Sequence, residues 1–253
     1  MRVIAVHNLK GGVGKTAAAV NIASIAAASG IPTLLWDLDA QGACTWYLAP
    51  DESPKARPPK IKKILSGKTP VGKAIRSSSV ENLDLIPADL SFRNIDVQLE
   101  KHGDDNTVSK WLEPLGEDYG LVVLDCPPNF SRLAEQILDV ADRVMVPLVP
   151  TWLSMHSWKQ LQEFAEDRKL SKKKFLPFFS MVDRRKKLHR DFLENPPAGL
   201  KRLMPGYIPY ASDVERMGEH RLPVYAFAPR SAAAQAYQLL WKGLITGKDG
   251  LKL

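Results

Sequence analysis

The residues with the clearest chemistry lie near the start of the chain, in a run at positions 10–16 that reads Lys-Gly-Gly-Val-Gly-Lys-Thr. An apolar stretch precedes this run and an alanine-rich stretch follows it, which predicts strand, loop and helix. The three glycines carry no Cβ atom, so the backbone can approach a polyphosphate closely. The loop N–H groups and the start of the helix would bind an anion. The pattern therefore predicts a phosphate loop in which Lys15 reaches the β- and γ-phosphates and Thr16 ligates Mg²⁺.

Three carboxylates follow apolar stretches farther along the chain. Asp37 and Asp39 come after the second of these stretches, and Asp125 ends the run Leu-Val-Val-Leu at 121–124. Because ligands of parallel α/β sheets bind at the carboxyl ends of the strands, we expect these side chains beside the phosphate loop. Carboxylates next to phosphates repel them unless a cation or a reacting water lies between. We therefore predict that Asp125 holds Mg²⁺ through a water, as in a Walker B motif. Asp37 either joins the metal shell or is an ordinary turn or helix-cap aspartate.

The loop departs from the general pattern G-x-x-x-x-G-K-[ST] in two ways. Leu9 stands where the first glycine is expected, and an additional lysine, Lys10, precedes the glycines. In this respect the chain resembles the deviant Walker A ATPases of the ParA/MinD group. The resemblance implies ATP and Mg²⁺ as cofactors and a homodimer when ATP is bound. In that dimer Lys10 would touch the partner's nucleotide, while Lys15 would act within its own subunit; the alternative for Lys10 is a solvated loop lysine.

The resemblance also assigns roles to the carboxylates. The segment at 37–42, Asp-Leu-Asp-Ala-Gln-Gly, matches the family's Asp-x-Asp-Pro-Gln-Gly except at Ala40. Asp39 is therefore expected to position or activate the attacking water, and residues 37–46 to act as a switch that senses the γ-phosphate. Asp-Cys-Pro-Pro at 125–128 resembles the family's second switch. The implied catalytic residues are Lys10, Lys15 and Asp39, and the implied metal-site residues are Thr16, Asp37 and Asp125.

Weaker matches continue along nearly the whole chain. The segments at 82–88, 145–150 and 180–185 occur in the order of the family's third, fifth and sixth strands. Ala17 is a departure, because many relatives carry there a second Thr or Ser that touches the α-phosphate. The nucleotide-binding residues implied by the resemblance are Lys10, Gly11, Gly12, Val13, Gly14, Lys15, Thr16, Ala17, Met181, Asp183 and Pro209.

Short apolar stretches alternate with longer amphipathic ones, which predicts a mostly parallel sheet covered by helices. The expected fold class is α/β, a P-loop NTPase fold with helices on both faces of the sheet, formed by residues 1–253 as a single domain. The proline-rich segment at 50–60 is expected to be a surface loop. Strands are predicted at 2–7, 32–37, 83–87, 120–125, 143–148, 175–181 and 206–209, and helices at 15–29, 90–101, 107–115, 131–141, 153–169, 186–195, 212–219 and 230–246.

Length and composition limit the classes of protein to which the chain can belong. The chain has 253 residues, of which 45% are hydrophobic and 25% charged, as in globular proteins. Its longest apolar run, at 17–28, is too short and alanine-rich to span a bilayer, and no leader-like pattern opens the sequence. The two cysteines have no metal-binding spacing. These observations predict a cytoplasmic protein, and the resemblance implies association with the nucleoid when ATP is bound.

The formal net charge of +7 exceeds what ATP and Mg²⁺ require, which favours a nucleic-acid partner over dispersed surface charge. Two basic clusters flank a predicted strand, at 172–174 and 184–187. They are either a patch for the phosphate backbone or solvated loops. Relatives carry arginines after the Ile-Pro at 208–209, where this chain has Tyr210 and Asp213. The candidate DNA-binding residues are Lys172, Lys173, Lys174, Arg184, Arg185, Lys186, Lys187, Arg216 and Arg221.

Our main hypothesis is a ParA-type positioning ATPase with slow basal turnover. Its ATP-bound dimer would bind non-specific DNA, and a ParB-like or other cargo adaptor would stimulate hydrolysis and release. A MinD-like membrane ATPase would need a C-terminal amphipathic anchor, but the tail at 241–253 holds three glycines and predicts a poor helix. A nitrogenase-type reductase would use Cys44 and Cys126 as cluster ligands. An ATP-dependent ligase and a nucleotide-gated scaffold without meaningful hydrolysis are the remaining alternatives.

Most of the six tryptophans are expected to pack in the core. Trp46 and Trp152 are the exceptions, because each follows a segment predicted to lie near the nucleotide. Ordinary packing is the favoured interpretation for these two as well, and a dimer face or a partner surface is the alternative.

Overall fold

The computed structural model describes residues 1–49, 61–66, 68–89, 93–102, 104–246 and 250–251. Within these residues, eight strands form one sheet. The strands are β1 (Arg2–Val6), β2 (Thr33–Asp37), β3 (Arg76–Ser77), β4 (Leu83–Ile86), β5 (Leu121–Asp125), β6 (Arg143–Leu148), β7 (Phe175–Val182) and β8 (Tyr207–Pro209). From edge to edge the order is β3-β4-β2-β5-β1-β6-β7-β8, and the two-residue edge strand β3 alone runs antiparallel to its neighbour.

Helices cover both faces of this sheet. Three of them, α1, α7 and α12, are long, and several are single turns. The helices within the described residues are α1 (Lys15–Ala28), α2 (Ala43–Leu48), α3 (Ile61–Leu65), α4 (Ile95–His102), α5 (Thr107–Leu112), α6 (Arg132–Val140), α7 (Trp152–Asp167), α8 (Lys187–Glu194), α9 (Ser212–Glu215), α10 (Met217–His220), α11 (Val224–Phe227) and α12 (Ala232–Thr246). This arrangement confirms the predicted α/β class.

Side chains that alternate along the central strands pack into two separate apolar cores, one on each face of the sheet. In β1, Val3 and Ala5 face the core under α4 to α7, whereas Ile4 and Val6 face the core formed with α1 and α12. Because neighbouring side chains of a strand point to opposite faces, one strand fills both cores. The sheet therefore has no solvated central face, and its strands are near-continuous apolar runs.

The sequence located all seven longer strands to within about a residue at each end, because most of the apolar runs stop at Gly, Pro or a carboxylate. Helices α2, α3 and α11 and strand β3 were not predicted, since elements of two to six residues show no period. The predicted helix at 212–219 is two single turns that meet at Arg216. The predicted helix at 107–115 tightens into a 3₁₀ turn after Leu112.

Two predicted segments lie wholly or partly outside the described residues. The surface loop at 50–60 and the start of the helix predicted at 90–101 lie outside them. The helix predicted at 230–246 is confirmed, because α12 ends at Thr246 and buries Trp241 and Leu244 against the core. That apolar face is therefore occupied within the protein. No helix in the described part of the chain is both long and apolar enough to cross a membrane.

Helix α1 connects the phosphate loop to the rest of the molecule. Twelve of its 14 residues are buried, and half of those are alanines, which favour a helix and allow close packing. One buried polar side chain, Asn21, links α1 to the C-terminal region. Its amide donates to Ala17 O at 2.8 Å, and its carbonyl accepts from Val224 N at 2.9 Å.

Replacing Asn21 by Ala should destabilise the protein by about 1 to 3 kcal/mol, because the buried Val224 N–H would lose its acceptor. Urea denaturation measures this loss as a lower midpoint at unchanged slope. Gln235→Ala is the matched control, since Gln235 is exposed on α12 and should change stability by less than about 0.5 kcal/mol. Equal effects of the two substitutions would contradict the linking role of Asn21.

Candidate functional site

The loop between β1 and α1 has the geometry of an anion-binding turn. Gly12 and Gly14 have positive φ angles of 67° and 88°, a region in which side chains are strained. A Cβ atom added to Gly11 or Gly12 would meet nothing within 4 Å, so the space above the loop is open. A Cβ atom at Gly14 would lie 2.8 Å from Ser180 Oγ, so here the loop packs directly against β7.

Asn8 fixes the start of this loop, a role that the sequence did not suggest. Its amide nitrogen donates to Pro147 O of β6 at 2.6 Å, and its carbonyl oxygen accepts from Lys10 N at 3.0 Å. The side chain is 2% exposed. The loop is therefore attached to β6 on one side and packed against β7 on the other, before any ligand binds.

Lys15 folds back over the loop. Its Nζ donates to Lys10 O at 3.0 Å, and the side chain is buried. Burial lowers the pKa of Lys15, and attraction to the carboxylate of Asp125 opposes that shift. A partly desolvated ammonium group beside loop N–H groups would attract an anion strongly, because little water screens its charge.

Asp37 and Asp125 lie side by side at the ends of β2 and β5, where they are paired in register. Their exposures are 0% and 1%. Burial and the neighbouring Asp125 charge raise the pKa of Asp37 to about 7, against the hydrogen bonds from Thr45. Burial raises the pKa of Asp125 to about 6, although hydrogen bonds from Thr16 and Cys44 oppose it. Two buried like charges are unfavourable unless a cation lies between them.

The donor set fits Mg²⁺. Oδ1 of Asp37 and Oδ1 of Asp125 are buried without a hydrogen-bond partner. Thr16 Oγ1 donates to Asp125 Oδ2 at 2.7 Å, so the hydroxyl is next to the same carboxylate. Mg²⁺ prefers such oxygens and commonly completes its shell with waters and substrate phosphates. The structure thus brings together the three residues that the sequence assigned to the metal.

The segment after β2 contains the unpredicted helix α2, which is attached to the carboxylate pair. Thr45 donates to Asp37 Oδ2 from its backbone N at 2.8 Å and from its hydroxyl at 2.7 Å. Cys44 Sγ donates to Asp125 Oδ2 at 3.2 Å. Asp39 precedes the helix, half-buried, and accepts from Gln41 N at 2.9 Å. Polar residues just beyond a predicted Asp-x-Asp could have indicated these contacts.

The residues assigned to the base side of the nucleotide lie at the ends of β7 and β8. Met181 has a positive φ of 55°, and Val182 pairs with Pro209. Asp183 forms two hydrogen bonds of 2.9 Å with the guanidinium group of Arg185, which holds the pKa of Asp183 at about 2. These residues occupy the same edge of the sheet as the phosphate loop, because Ser180 of β7 touches Gly14.

The two basic clusters lie at opposite ends of β7, so they do not form one patch. An eight-residue strand is roughly 26 Å long at about 3.3 Å per residue. Lys172 pairs with Glu166 at 3.1 Å, and Lys174 Nζ donates to Leu138 O and Asp139 O at 2.8 and 2.9 Å. The cluster at 184–187 lies at the edge that carries the phosphate loop, and all four of its residues are exposed.

The downstream arginines make local contacts. Arg216 pairs with Glu219 at 3.0 Å, and Arg221 Nε donates to Trp46 O at 3.0 Å. Residues 212–221 include three carboxylates, so this segment is not a basic patch. The surroundings of Arg216 and Arg221 therefore do not favour them as DNA-binding residues.

The exposed tryptophans are the two that the sequence singled out. Trp46 is 52% exposed and Trp152 is 66% exposed, whereas the other four are buried. Both cysteines are fully buried, and burial raises the pKa of each thiol. Buried protonated thiols are poor ligands for an iron–sulfur cluster at a subunit interface, which disfavours the reductase hypothesis.

A parallel sheet with a glycine loop after β1, a buried lysine and two carboxylates at neighbouring strand ends defines the class of P-loop nucleotide-binding proteins. The chain belongs to the family AAA_31, an AAA domain whose model matches residues 1–177, and it is a ParA/MinD-type member. It is 27% identical to the chromosome-partitioning ATPase Soj of Treponema pallidum, with 96% of each chain covered. It is 29% identical to the chromosome partitioning protein ParA of Caulobacter vibrioides, with 97% of this chain and 94% of ParA covered.

Solved structures share the fold. A plasmid partition protein from Borrelia burgdorferi B31, bound to AMPPNP, superposes with a TM-score of 0.78 at 21% identity, over 95% of this chain and 96% of that one. The septum site-determining protein MinD from Pyrococcus horikoshii, complexed with Mg-ADP, gives a TM-score of 0.77 at 18% identity, over 99% of both chains. These likenesses confirm the predicted architecture.

The raised pKa of Asp37 predicts how stability depends on pH without metal. Between pH 4 and 7 the folded state keeps a proton that the unfolded state has lost, so the free energy of unfolding falls as pH rises. Asp37→Asn removes this dependence and leaves an oxygen to accept from Thr45. In EDTA, the variant should gain roughly 2 to 3 kcal/mol over the wild type between pH 5 and pH 8.

Urea titrations at several pH values test this prediction. Asp183→Asn is the control, because its folded pKa of about 2 lies below the range, so its difference from wild type should stay constant between pH 5 and pH 8. A constant difference for Asp37→Asn as well would show that the carboxylate pair is not protonated in the folded protein.

Proposed function

We propose that this protein is a ParA-type partitioning ATPase that hydrolyses ATP to ADP and phosphate and cycles between a monomer and an ATP-bound homodimer. The observation that carries the proposal is the carboxylate pair with its two unpartnered Oδ1 atoms beside the glycine loop and Lys15. This arrangement matches what the triphosphate of ATP with Mg²⁺ requires. Support also comes from the full-length likeness to Soj and ParA.

The residues would divide the work as follows. The loop N–H groups and Lys15 hold the phosphates, and Thr16, Asp37 and Asp125 hold Mg²⁺, which neutralises charge on the phosphate oxygens when bound. Asp39 is half-buried in front of this site and orients the attacking water. A carboxylate that only orients water gives slow turnover. A partner protein could therefore accelerate the reaction.

Lys10 is the residue that couples ATP to dimerisation in this proposal. Its backbone is fixed by Asn8 while its side chain is half-buried at the edge of the loop. From there it would reach the nucleotide of a second subunit and neutralise charge across the interface. The exposed rings of Trp46 and Trp152 lie after β2 and β6, at the same edge of the sheet.

The dimer proposal predicts the behaviour of two variants in analytical ultracentrifugation. Asp39→Ala, saturated with ATP and Mg²⁺, should sediment as a dimer, because the nucleotide stays intact. Adding Lys10→Ala to this variant should leave monomers with nucleotide bound, because Lys15 still holds the phosphates. Monomers in both cases would overturn the dimer, and dimers in both would remove Lys10 from it.

Non-specific DNA is the proposed surface on which the dimer acts. A net charge of +7 favours a polyanion, and the exposed residues Arg184, Lys186 and Lys187 place positive charge at the nucleotide edge. Since two subunits would meet at this edge, dimerisation would unite their basic residues and increase the number of phosphate contacts. DNA affinity would therefore depend on ATP. A ParB-like or other cargo adaptor would trigger hydrolysis and release.

The positions of the basic clusters predict which one contacts DNA. Arg184→Ala with Lys187→Ala should weaken ATP-dependent DNA binding and reduce the steepness of log K against log salt by roughly 3 to 4, if each of the two residues contacts one phosphate in each subunit of the dimer. Lys172→Ala with Lys173→Ala, at the far end of β7, is the charge-matched control and should change little. Binding that is equal with ATP and ADP would reject the nucleotide switch.

A further inference from the structure

Helix α2 is held at both ends by residues that lie outside it. At its first turn, Thr45 donates twice to Asp37 Oδ2, at 2.8 and 2.7 Å. At its last turn, Arg221 donates from Nε to Trp46 O at 3.0 Å and from a second guanidinium nitrogen to Ala49 O. The last carbonyls of a helix have no partners within it, so Arg221 satisfies groups that would otherwise need water.

The side chain of Trp46, on α2, also contacts Arg221 and the segment of α10. The guanidinium group of Arg221 lies 4.9 Å from the centre of the Trp46 ring, within the range of a cation–π interaction. The indole Nε1 donates to Gly218 O at 3.2 Å. Three hydrogen bonds and one stacked pair therefore connect α2 to the segment of α10.

The segment of α10 is itself well anchored. Met217 is fully buried, and its sulfur lies 3.3 Å from Asn21 Nδ2 of α1. His220 stacks on Phe227 with 4.1 Å between ring centres. Arg221 has a positive φ of 52°, a conformation that persists only where the surroundings determine it. Arg221 is thus a fixed support for α2.

We propose that Arg221 is a positioning residue of the metal site: it holds the end of α2, and through Thr45 it fixes the carboxylate of Asp37 in the orientation that Mg²⁺ needs. This inference rests on the proposed function for the role of the metal. It also gives Arg221 a different role from DNA contact, because its guanidinium group is turned toward α2 and covers the Trp46 ring.

The thiol of Cys44 reports the position of α2 without any ligand. Cys44 and Cys126 are both fully buried, but only Cys44 lies on α2. Alkylation of the apo protein by iodoacetamide, followed by peptide mass spectrometry, gives the rate at each cysteine. In Arg221→Ala the alkylation rate at Cys44 should rise by about tenfold or more. The substitution removes the charge-assisted hydrogen bonds that hold α2 in the position where the thiol is buried. The rate at Cys126 should not change.

Two arginine variants sharpen this measurement. Arg221→Lys keeps the charge but loses the forked donors and most of the stacking, so it should resemble Arg221→Ala. Arg216→Ala removes a neighbouring arginine that pairs with Glu219, and should behave like the wild type. An unchanged rate at Cys44 in Arg221→Ala, an equal rise at Cys126, or full restoration by Lys would each overturn the proposal.

The effect on the metal site is measured by titrating Mg²⁺ into a fluorescent ATP analogue bound to the Asp39→Ala protein. Adding Arg221→Ala should raise the half-saturating Mg²⁺ concentration by about tenfold, since a misplaced ligand costs roughly 10- to 100-fold in metal affinity. An unchanged Mg²⁺ requirement with weaker DNA binding would overturn the positioning role in favour of DNA contact. If the parent protein binds no nucleotide, the proposed function fails, whereas the alkylation result still decides whether Arg221 holds α2.

Discussion

The repulsion between Asp37 and Asp125 is the constraint on which the site depends. Parallel pairing of β2 and β5 places the two carboxylates next to each other, and the apolar layers on both faces of the sheet remove the water that would screen them. Three residues from two elements donate hydrogen bonds to the pair, namely Thr16 on α1 and Cys44 and Thr45 on α2. Each donor satisfies an Oδ2 atom, which leaves both Oδ1 atoms for a cation. The elements around the pair are therefore arranged by its charge as much as by apolar packing.

This constraint explains which parts of the site could be predicted from the sequence. The glycine loop and both carboxylates were found because each lies at the end of an apolar run, and runs of that length form strands whose ends meet at one edge. Helix α2 could not be found in this way, because six residues show no period and its place is set by hydrogen bonds to Asp37 and Arg221. Asn8 was overlooked for a similar reason: its partners, Lys10 and Pro147, meet only after β1 and β6 pair.

The surface was harder to predict than the site. Charge runs are visible in a sequence, but their use depends on where they lie and what they touch. The clusters at 172–174 and 184–187 are close in sequence and lie at opposite ends of β7, so only one of them is near the loop. The sequence made Arg221 a candidate for DNA contact, but its guanidinium group donates to the end of helix α2. Tertiary contacts of this kind leave no pattern that spacing or composition would reveal.

The position of β1 in the middle of the sheet also bears on how the protein is made. Its two neighbours in the sheet, β5 and β6, follow it in the chain only after β2, β3 and β4. During synthesis the glycine loop therefore cannot acquire its native shape until both neighbours have been made. Until then β1 is an apolar strand with two unpaired edges, a feature that slows folding and exposes a chain to aggregation.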